Sequence, residues 1–385
     1  MGLRLREAHA GDTGTLTDIL HRAKSHWGYG STKMEAFRTE YRISQATLNA
    51  QNVLVAADNG RPVGFAGGYS QSDCLYIEFL FVAPEVIGKG LGSLLLQRMT
   101  DRARSAGKSR LLLESDHHAR GFYEANGFEV LSERPSQMSP SGVIPLMEKQ
   151  LVPSVHRIDD VVLQVETGKV WEFEVRRQSE IDIHWGNACR QNPNLWNGRT
   201  LKLVDFTLED GRFSGTCHEC SFSAFLAWRD WGAPDLATWN AFGSAVLRSS
   251  DGALLFGVMS EKTANSGKVY PPGGNLDPED VNEDGHVDIV RAIYRELEEE
   301  TGLTPSDGTA GPMYVVLDGP RISFALVIDL PVEANALREK ILSHSVSSQE
   351  QELSDVRILR SGEDLMTPDI VPYARDIGTA LLCAS

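Results

Sequence analysis

The sequence predicts an α+β protein of two domains. Three observations carry this: a buried strand that enters a glycine loop and an apolar-striped helix, a later series of short strands, and an acidic helix that stops at a glycine. A chain of 385 residues has room for two or three compact domains, and its apolar fraction of 41% is that of an ordinary globular protein.

In chain order, Leu75–Val82 reads as a buried strand, followed by Ala83-Pro84 and the loop Gly88-Lys89-Gly90-Leu91-Gly92-Ser93. The loop runs into the helical stripe Leu91, Leu94, Leu95, Met99. Glycines let backbone N–H groups approach a phosphate, and a helix N-terminus adds a favourable dipole, so a pyrophosphate fits here. The spacing excludes the P-loop and the Rossmann turn, which need G-x-x-x-x-G-K-[ST] and G-x-G-x-x-G. After the strand Arg110–Glu114 comes Ala119-Arg-Gly-Phe122-Tyr123-Glu-Ala-Asn-Gly127-Phe128.

The loop resembles motif A of the GNAT acyltransferases, Q/R-x-x-G-x-G/A, with Ile87 at the Q/R position, and the later segment matches A-x-x-F-Y-x-x-x-G-F of the same family. The resemblance spans residues 3 to 151, from the strand Leu3–Ala8 to the strand Ile144–Glu148, and places a domain boundary near Val152 to His156, after the loop Pro135–Gly142. It implies a GNAT fold, a mixed central sheet flanked by helices, over residues 1–152. It further implies acetyl-CoA held by Val82, Gly88, Lys89, Gly90, Leu91, Gly92 and Ser93, with Tyr123 protonating the departing thiolate. A small-molecule amine would be the acceptor. Its proton would go to an ordered water or to Glu78, although the family's usual glutamate aligns better with Tyr76. His117, His118 and Trp27-Gly28-Tyr29 either line the acceptor side or form a surface histidine pair and a core aromatic turn.

Beyond the boundary, Val161–Val165 and Val170–Val175 alternate as strands around Thr167-Gly168. Ala241–Leu247 and Ala253–Val258 flank the turn Asp251-Gly252, and Tyr314–Leu317 and Ile322–Ile328 supply further strands. Between them lies Arg295-Glu296-Leu297-Glu298-Glu299-Glu300-Thr301-Gly302-Leu303. Glu296, Glu299 and Glu300 stand at i, i+3 and i+4 and share one helix face. Such a cluster either holds a hard divalent cation, Mg²⁺ or Mn²⁺, or pairs with Arg291 and Arg295 on a solvated face.

The stretch matches the core R-E-U-x-E-E-x-G-U of the Nudix box, the signature of enzymes that hydrolyse nucleoside diphosphates linked to another group. The resemblance implies an extended Nudix α/β/α sandwich, with a β-rich extension over 157–237 and the core over 238–385. Metal would rest on Glu296, Glu299 and Glu300, and the base would be Glu299 or Glu352. The upstream half of the box departs from the pattern. Val281 and Val287 stand where the family has its glycine and first glutamate, and an acidic insertion separates Pro272-Gly273-Gly274 from the helix. The missing ligand is absent or is replaced by Asp288. Within the insertion, Asp280–Asp288 resembles the start of an EF-hand or dockerin Ca²⁺ loop, or is an acidic surface loop. The lead-in Asn192–Gly198, Leu201-Lys202-Leu203 and Cys220–Arg229 is similar to that of Nudix proteins acting on UDP-glucose, which also carry an insertion in the box.

A net charge of −16 argues against unaided binding to nucleic acid or anionic membrane. The absence of a long apolar run and of a secretory start predicts a cytoplasmic protein. Cys217-His218-Glu219-Cys220 lacks a second ligand pair, so ordinary reduced thiols are expected. The reading from sequence is a bifunctional acetyltransferase and metal-dependent diphosphate hydrolase. The alternatives are an acetyltransferase regulated by a nucleotide- or CoA-binding module, or a second domain that trims CoA.

Overall fold

The computed structural model describes residues 2–71, 73–106, 108–135, 143–151, 155–193, 195–235, 237–263, 265–348 and 351–383. Part of the loop Pro135–Gly142, part of the boundary Val152–His156 and Asn194 lie outside the described residues. The chain forms two compact units, residues 1–152 with 230–234, and residues 153–229 with 235–385. Among the described residues no helix is long and apolar enough to cross a membrane.

The first unit contains β1 (Leu3–Glu7), α1 (Thr13–His26), α2 (Ser31–Glu40), α3 (Gln45–Gln51), β2 (Leu54–Asp58), β3 (Arg61–Gln71), β4 (Cys74–Val82), α4 (Leu91–Ser105), β5 (Arg110–Glu114), α5 (Arg120–Ala125), β6 (Glu129–Pro135) and β7 (Val143–Gln150). Its sheet order is β1-β2-β3-β4-β5-β7-β6. The β4–β5 pair is parallel and pairs Cys74–Ile77 with Arg110–Leu113, while the other pairs are antiparallel. On the other side of β4 the register slips at Glu78, since Gly67 faces Phe79 and Gly68 faces Ile77. A bulge there bends the strand just where the pairing with β5 ends. The parallel strands connect through α4, whose Leu91, Leu94, Leu95 and Met99 are buried as the stripe requires. Residues 230–234 belong to this unit. Leu5 N–H donates to the Trp231 carbonyl at 3.1 Å, and Arg98 donates to the carbonyls of Gly232 and Ala233 at 2.8 and 2.9 Å.

The second unit contains β8 (Val155–Ile158), β9 (Asp160–Val170), α6 (Glu172–Gln191), β10 (Arg199–Glu209), β11 (Arg212–Ser221), α7 (Phe222–Asp230), β12 (Asn240–Arg248), β13 (Leu254–Met259), β14 (Val269–Tyr270), α8 (Ile289–Thr301), β15 (Thr309–Asp318), β16 (Arg321–Asp329), α9 (Ala334–Ser347), β17 (Leu353–Leu359) and α10 (Pro372–Leu382). One sheet runs β14-β13-β12-β16-β15-β8 with β17 on β13, and a smaller one runs β10-β11-β9. The strand expected over Val170–Val175 is a correction: β9 stops at Val170 and α6 begins at Glu172. Glu172 and Glu174 in the first turn complement the helix dipole, and Phe173, Arg177 and Ile181 recur on the buried face.

Lys202, on β10, is fully buried against the rings of Trp228, Trp171 and Phe225, and its Nζ has no hydrogen-bond partner among the described residues. Burial pushes its amine well below the usual lysine range. The native state thus disfavours a proton that the unfolded chain binds, and stability rises with pH until the unfolded lysine titrates, at ~10. Lys202→Met is expected to raise stability by roughly 1–3 kcal/mol at neutral pH. It should also flatten that pH dependence, as denaturant melts of both proteins between neutral and alkaline pH would show.

Candidate functional sites

In the first unit, the glycine loop is built around two left-handed residues, Gly88 and Gly90, each with φ near +79°. A side chain at either position would strain the backbone. The first bond of α4 runs from Leu94 N–H to the Gly90 carbonyl at 3.0 Å. The N–H groups of Leu91, Gly92 and Ser93 therefore precede the helical ladder, and no side chain caps them. Residues 87–90 are exposed, so this end of the helix opens to solvent.

The two motifs meet at Gly92. A Cβ there would come within 3.2 Å of Phe122 Cζ, with Val82 Cγ2 at 4.0 Å. Phe122 thus packs on the start of α4, and its neighbour Tyr123 is buried against Phe128, with ring centroids 5.6 Å apart. Burial, with a smaller push from the Asp116 carboxylate, raises the Tyr123 phenol well above its ordinary value. It stays protonated and has a proton to give. Glu78 is exposed on the bulge of β4 and accepts from Gln51 Nε2 at 2.5 Å.

Just past the C-terminal end of β5, Asp116 ion-pairs with Lys24 and accepts from the Tyr29 hydroxyl at 2.8 and 2.9 Å. Burial opposes its charge, yet the Lys24 ammonium and the Tyr29 hydroxyl outweigh that and leave the carboxyl below the usual range. Trp27 stacks on His118 with centroids 5.3 Å apart and an interplanar angle of 2°, while 39% of Trp27 remains exposed. The aromatic turn therefore faces outward with the histidine. Asp116 and Lys24 were missed by the sequence reading. The signal available was position, since the carboxyl ends of parallel strands are where such sheets gather ligands.

In the second unit, three glycines bring the loop before the box onto α8. A Cβ on Gly243 would strike Ile293 at 2.6 Å, one on Gly273 would strike the Gly243 carbonyl at 2.1 Å, and one on Gly274 would strike the Glu296 carboxyl at 2.2 Å. The absence of side chains lets α8 lie on β12 and lets the Pro272–Asn275 segment pass beside the glutamates. Gly273 N–H donates to Glu300 Oε1 at 2.9 Å, while the buried Glu300 Oε2 has no hydrogen-bond partner among the described residues. Burial pushes Glu300 well above the carboxylate range. It pushes Glu296 up to about 7, with Glu299 and Glu352 adding repulsion.

Arg295 sits among these carboxylates, 2.6 Å from Glu296, 3.5 Å from Glu299 and 3.2 Å from Asp280. Among the described residues no three His, Cys, Asp or Glu side chains stand as a ready metal cluster. Glu299 is exposed, and the Glu352 backbone carbonyl accepts from Ser260 N–H at 2.7 Å. The donor set nevertheless suits a hard cation: all oxygen, one orphaned buried carboxylate atom, and a glycine cradle at its edge.

Asp288, the replacement ligand read from sequence, and the Asp280–Asp288 segment are both engaged by neighbouring groups. Asp288 accepts from Arg291 N–H at 3.0 Å and caps α8. Asp280 is buried, accepts from Asp277 N–H at 3.1 Å and pairs with Arg295, while Asn282 accepts from the N–H groups of Asp284 and His286, each at 3.0 Å. In the structure these oxygens meet the segment's own backbone and Arg295. The link between Asp280 and Arg295 was missed because it spans the insertion. Asn197 accepts from Ser223 N–H at 2.8 Å at the start of α7, and Trp196 is 81% exposed. Cys217 and Cys220 are free and buried, and burial pushes both thiols up to about 12.

Residues 16–128 match the acetyltransferase (GNAT) family. An uncharacterized N-acetyltransferase, YhfO, of Bacillus subtilis (strain 168) is 28% identical over 137 residues, which is 33% of this chain and 90% of the relative. Among solved structures, the PaiA N-acetyltransferase of Thermoplasma acidophilum in complex with coenzyme A is 20% identical over 39% of this chain and 99% of that one, with a TM-score of 0.34. The ribosomal-protein-S18-alanine N-acetyltransferase of Escherichia coli is 21% identical over 39% and 94%, with a TM-score of 0.31. The N-terminal part of the chain is a GNAT N-acetyltransferase domain.

Proposed function

We propose that the first unit transfers acetyl from acetyl-CoA to a small-molecule amine. The observation that carries this is the meeting of the Gly88–Ser93 loop with Phe122-Tyr123 at Gly92. The pyrophosphate rests on the N–H groups at the start of α4. The amine attacks the thioester carbonyl, the C–N bond forms, the C–S bond breaks, and the Tyr123 phenol protonates the thiolate. The amine's proton leaves to Glu78, directly or through water. Acetyl-CoA is expected to raise the melting temperature of the native protein, because it binds the folded state alone. Gly90→Ala should weaken that protection by straining the loop at φ +79°. Absence of any shift at millimolar acetyl-CoA would count against the assignment.

For the second unit we propose a Nudix-like hydrolase of a nucleoside diphosphate derivative, a UDP-sugar being the leading substrate. The supporting observation is the buried, half-satisfied Glu300 beside Glu296 and the Gly273-Gly274 cradle. Glu296, Glu299 and Glu300 would hold Mg²⁺ or Mn²⁺, which would neutralise the diphosphate and acidify an attacking water, with Glu299 or Glu352 as base. Metal binding needs these carboxylates ionised, so Mn²⁺ affinity should climb as pH rises through about 7, where Glu296 loses its proton. Titrations at pH values on either side check this; a flat profile would contradict it. The departure of the upstream box keeps the rival in view: a module that binds nucleotide or CoA without cleaving it.

A further inference from the structure

A hollow of about 980 Å³ opens on the outer side of α8, lined by Arg291, Tyr294, Arg295 and Glu299 together with His344 and Ser347 of α9. We propose that it seats the nucleoside half of the nucleotide acted on in the second unit, an inference that rests on the hydrolase reading.

Its volume is that of a small-molecule cleft. Two planar side chains supply stacking surface. Tyr294 is half-buried, and the His344 imidazole is fixed against the end of α8, its Nε2 3.1 Å from the Glu299 carbonyl. That placement requires Gly302, where a Cβ would come within 2.5 Å of His344 Nδ1 and where φ is +70°. The box glycine thus both ends the helix and admits the ring. A base stacks on such rings whatever its identity, and Ser347, whose hydroxyl donates to the His344 carbonyl at 2.8 Å, lines the same wall.

Two arginines, Arg291 and Arg295, stand on a wall that also carries Asp288, Glu298 and Glu299. Arg291 donates to the Glu279 carbonyl and has no carboxylate partner among the described residues, so it can meet a phosphate. Arg295 and Glu299 belong both to the hollow and to the carboxylate stripe. A nucleoside seated on Tyr294 and His344 therefore directs its diphosphate toward Arg295 and Glu299, the members of the stripe that line the hollow. None of this was visible in the sequence, because His344 lies 42 residues beyond Gly302.

The test uses the full chain with Mn²⁺. Hydrolysis of UDP-glucose and ADP-ribose by Tyr294→Ala and His344→Ala should show KM raised roughly tenfold, the loss of one stacking contact, with kcat and Mn²⁺ affinity unchanged. Unchanged KM in both variants would overturn the inference while leaving the hydrolase reading intact. If the wild type cleaves neither compound, the hydrolase reading falls, and calorimetric titration with UDP and ADP decides the inference. Binding weakened roughly tenfold by Tyr294→Ala supports the seat; equal binding by the variant, or none by the wild type, overturns it.

Discussion

Tyr123→Phe is expected to slow acetyl transfer by roughly 10²-fold or more while leaving the affinity for CoA nearly unchanged. Among the described residues the phenol has no hydrogen bond to lose, and its ring remains to pack on Phe122 and Phe128. The substitution thus removes the proton without removing the packing. Steady-state rates of thiol release together with a CoA titration separate the outcomes. Equal turnover would remove the general-acid role, and a parallel loss of CoA affinity would point to packing instead.

Glu299→Gln should abolish Mn²⁺-dependent cleavage of nucleoside diphosphate derivatives and leave the metal-free fold as stable or slightly more so. Glu299 is exposed and adds to the repulsion that raises Glu296 and Glu300, so neutralising it relieves a cluster rather than breaking a core contact. If the glutamate merely pairs with Arg295 on a solvated face, the change should cost a few tenths of a kcal/mol, as exposed helical pairs do, and alter no activity. Chemical melts without metal and rate assays with it give the two readouts.

The first domain was legible in outline because its determinants are local. Glycines with left-handed φ, the stripe on α4 and the Phe122-Tyr123 pair each declare themselves within ten residues or so of chain, and the family match over residues 16–128 agrees. What was not legible came from long-range contact. Asp116 meets Lys24 across 92 residues, and Arg295 meets Asp280 across an insertion of unpatterned spacing. Val170–Val175 misled because its alternation of apolar residues also fits the first turns of a helix, and tertiary burial of Phe173 and Ile181 decided for α6. Lys202 shows the same limit from the other side. It stands between two leucines on β10, yet it lies fully buried among three aromatic rings.

The account holds that one chain carries two separable chemistries, and a single assay addresses it. The wild-type protein is incubated with acetyl-CoA, an amine panel, nucleotide sugars and Mn²⁺, and both free thiol and nucleoside monophosphate are followed, with and without a chelator. The account predicts amine-dependent thiol release that the chelator leaves unchanged, and nucleoside monophosphate formation that it abolishes. Failure of nucleoside monophosphate to appear with metal present, or thiol release that vanishes with the chelator, would contradict it.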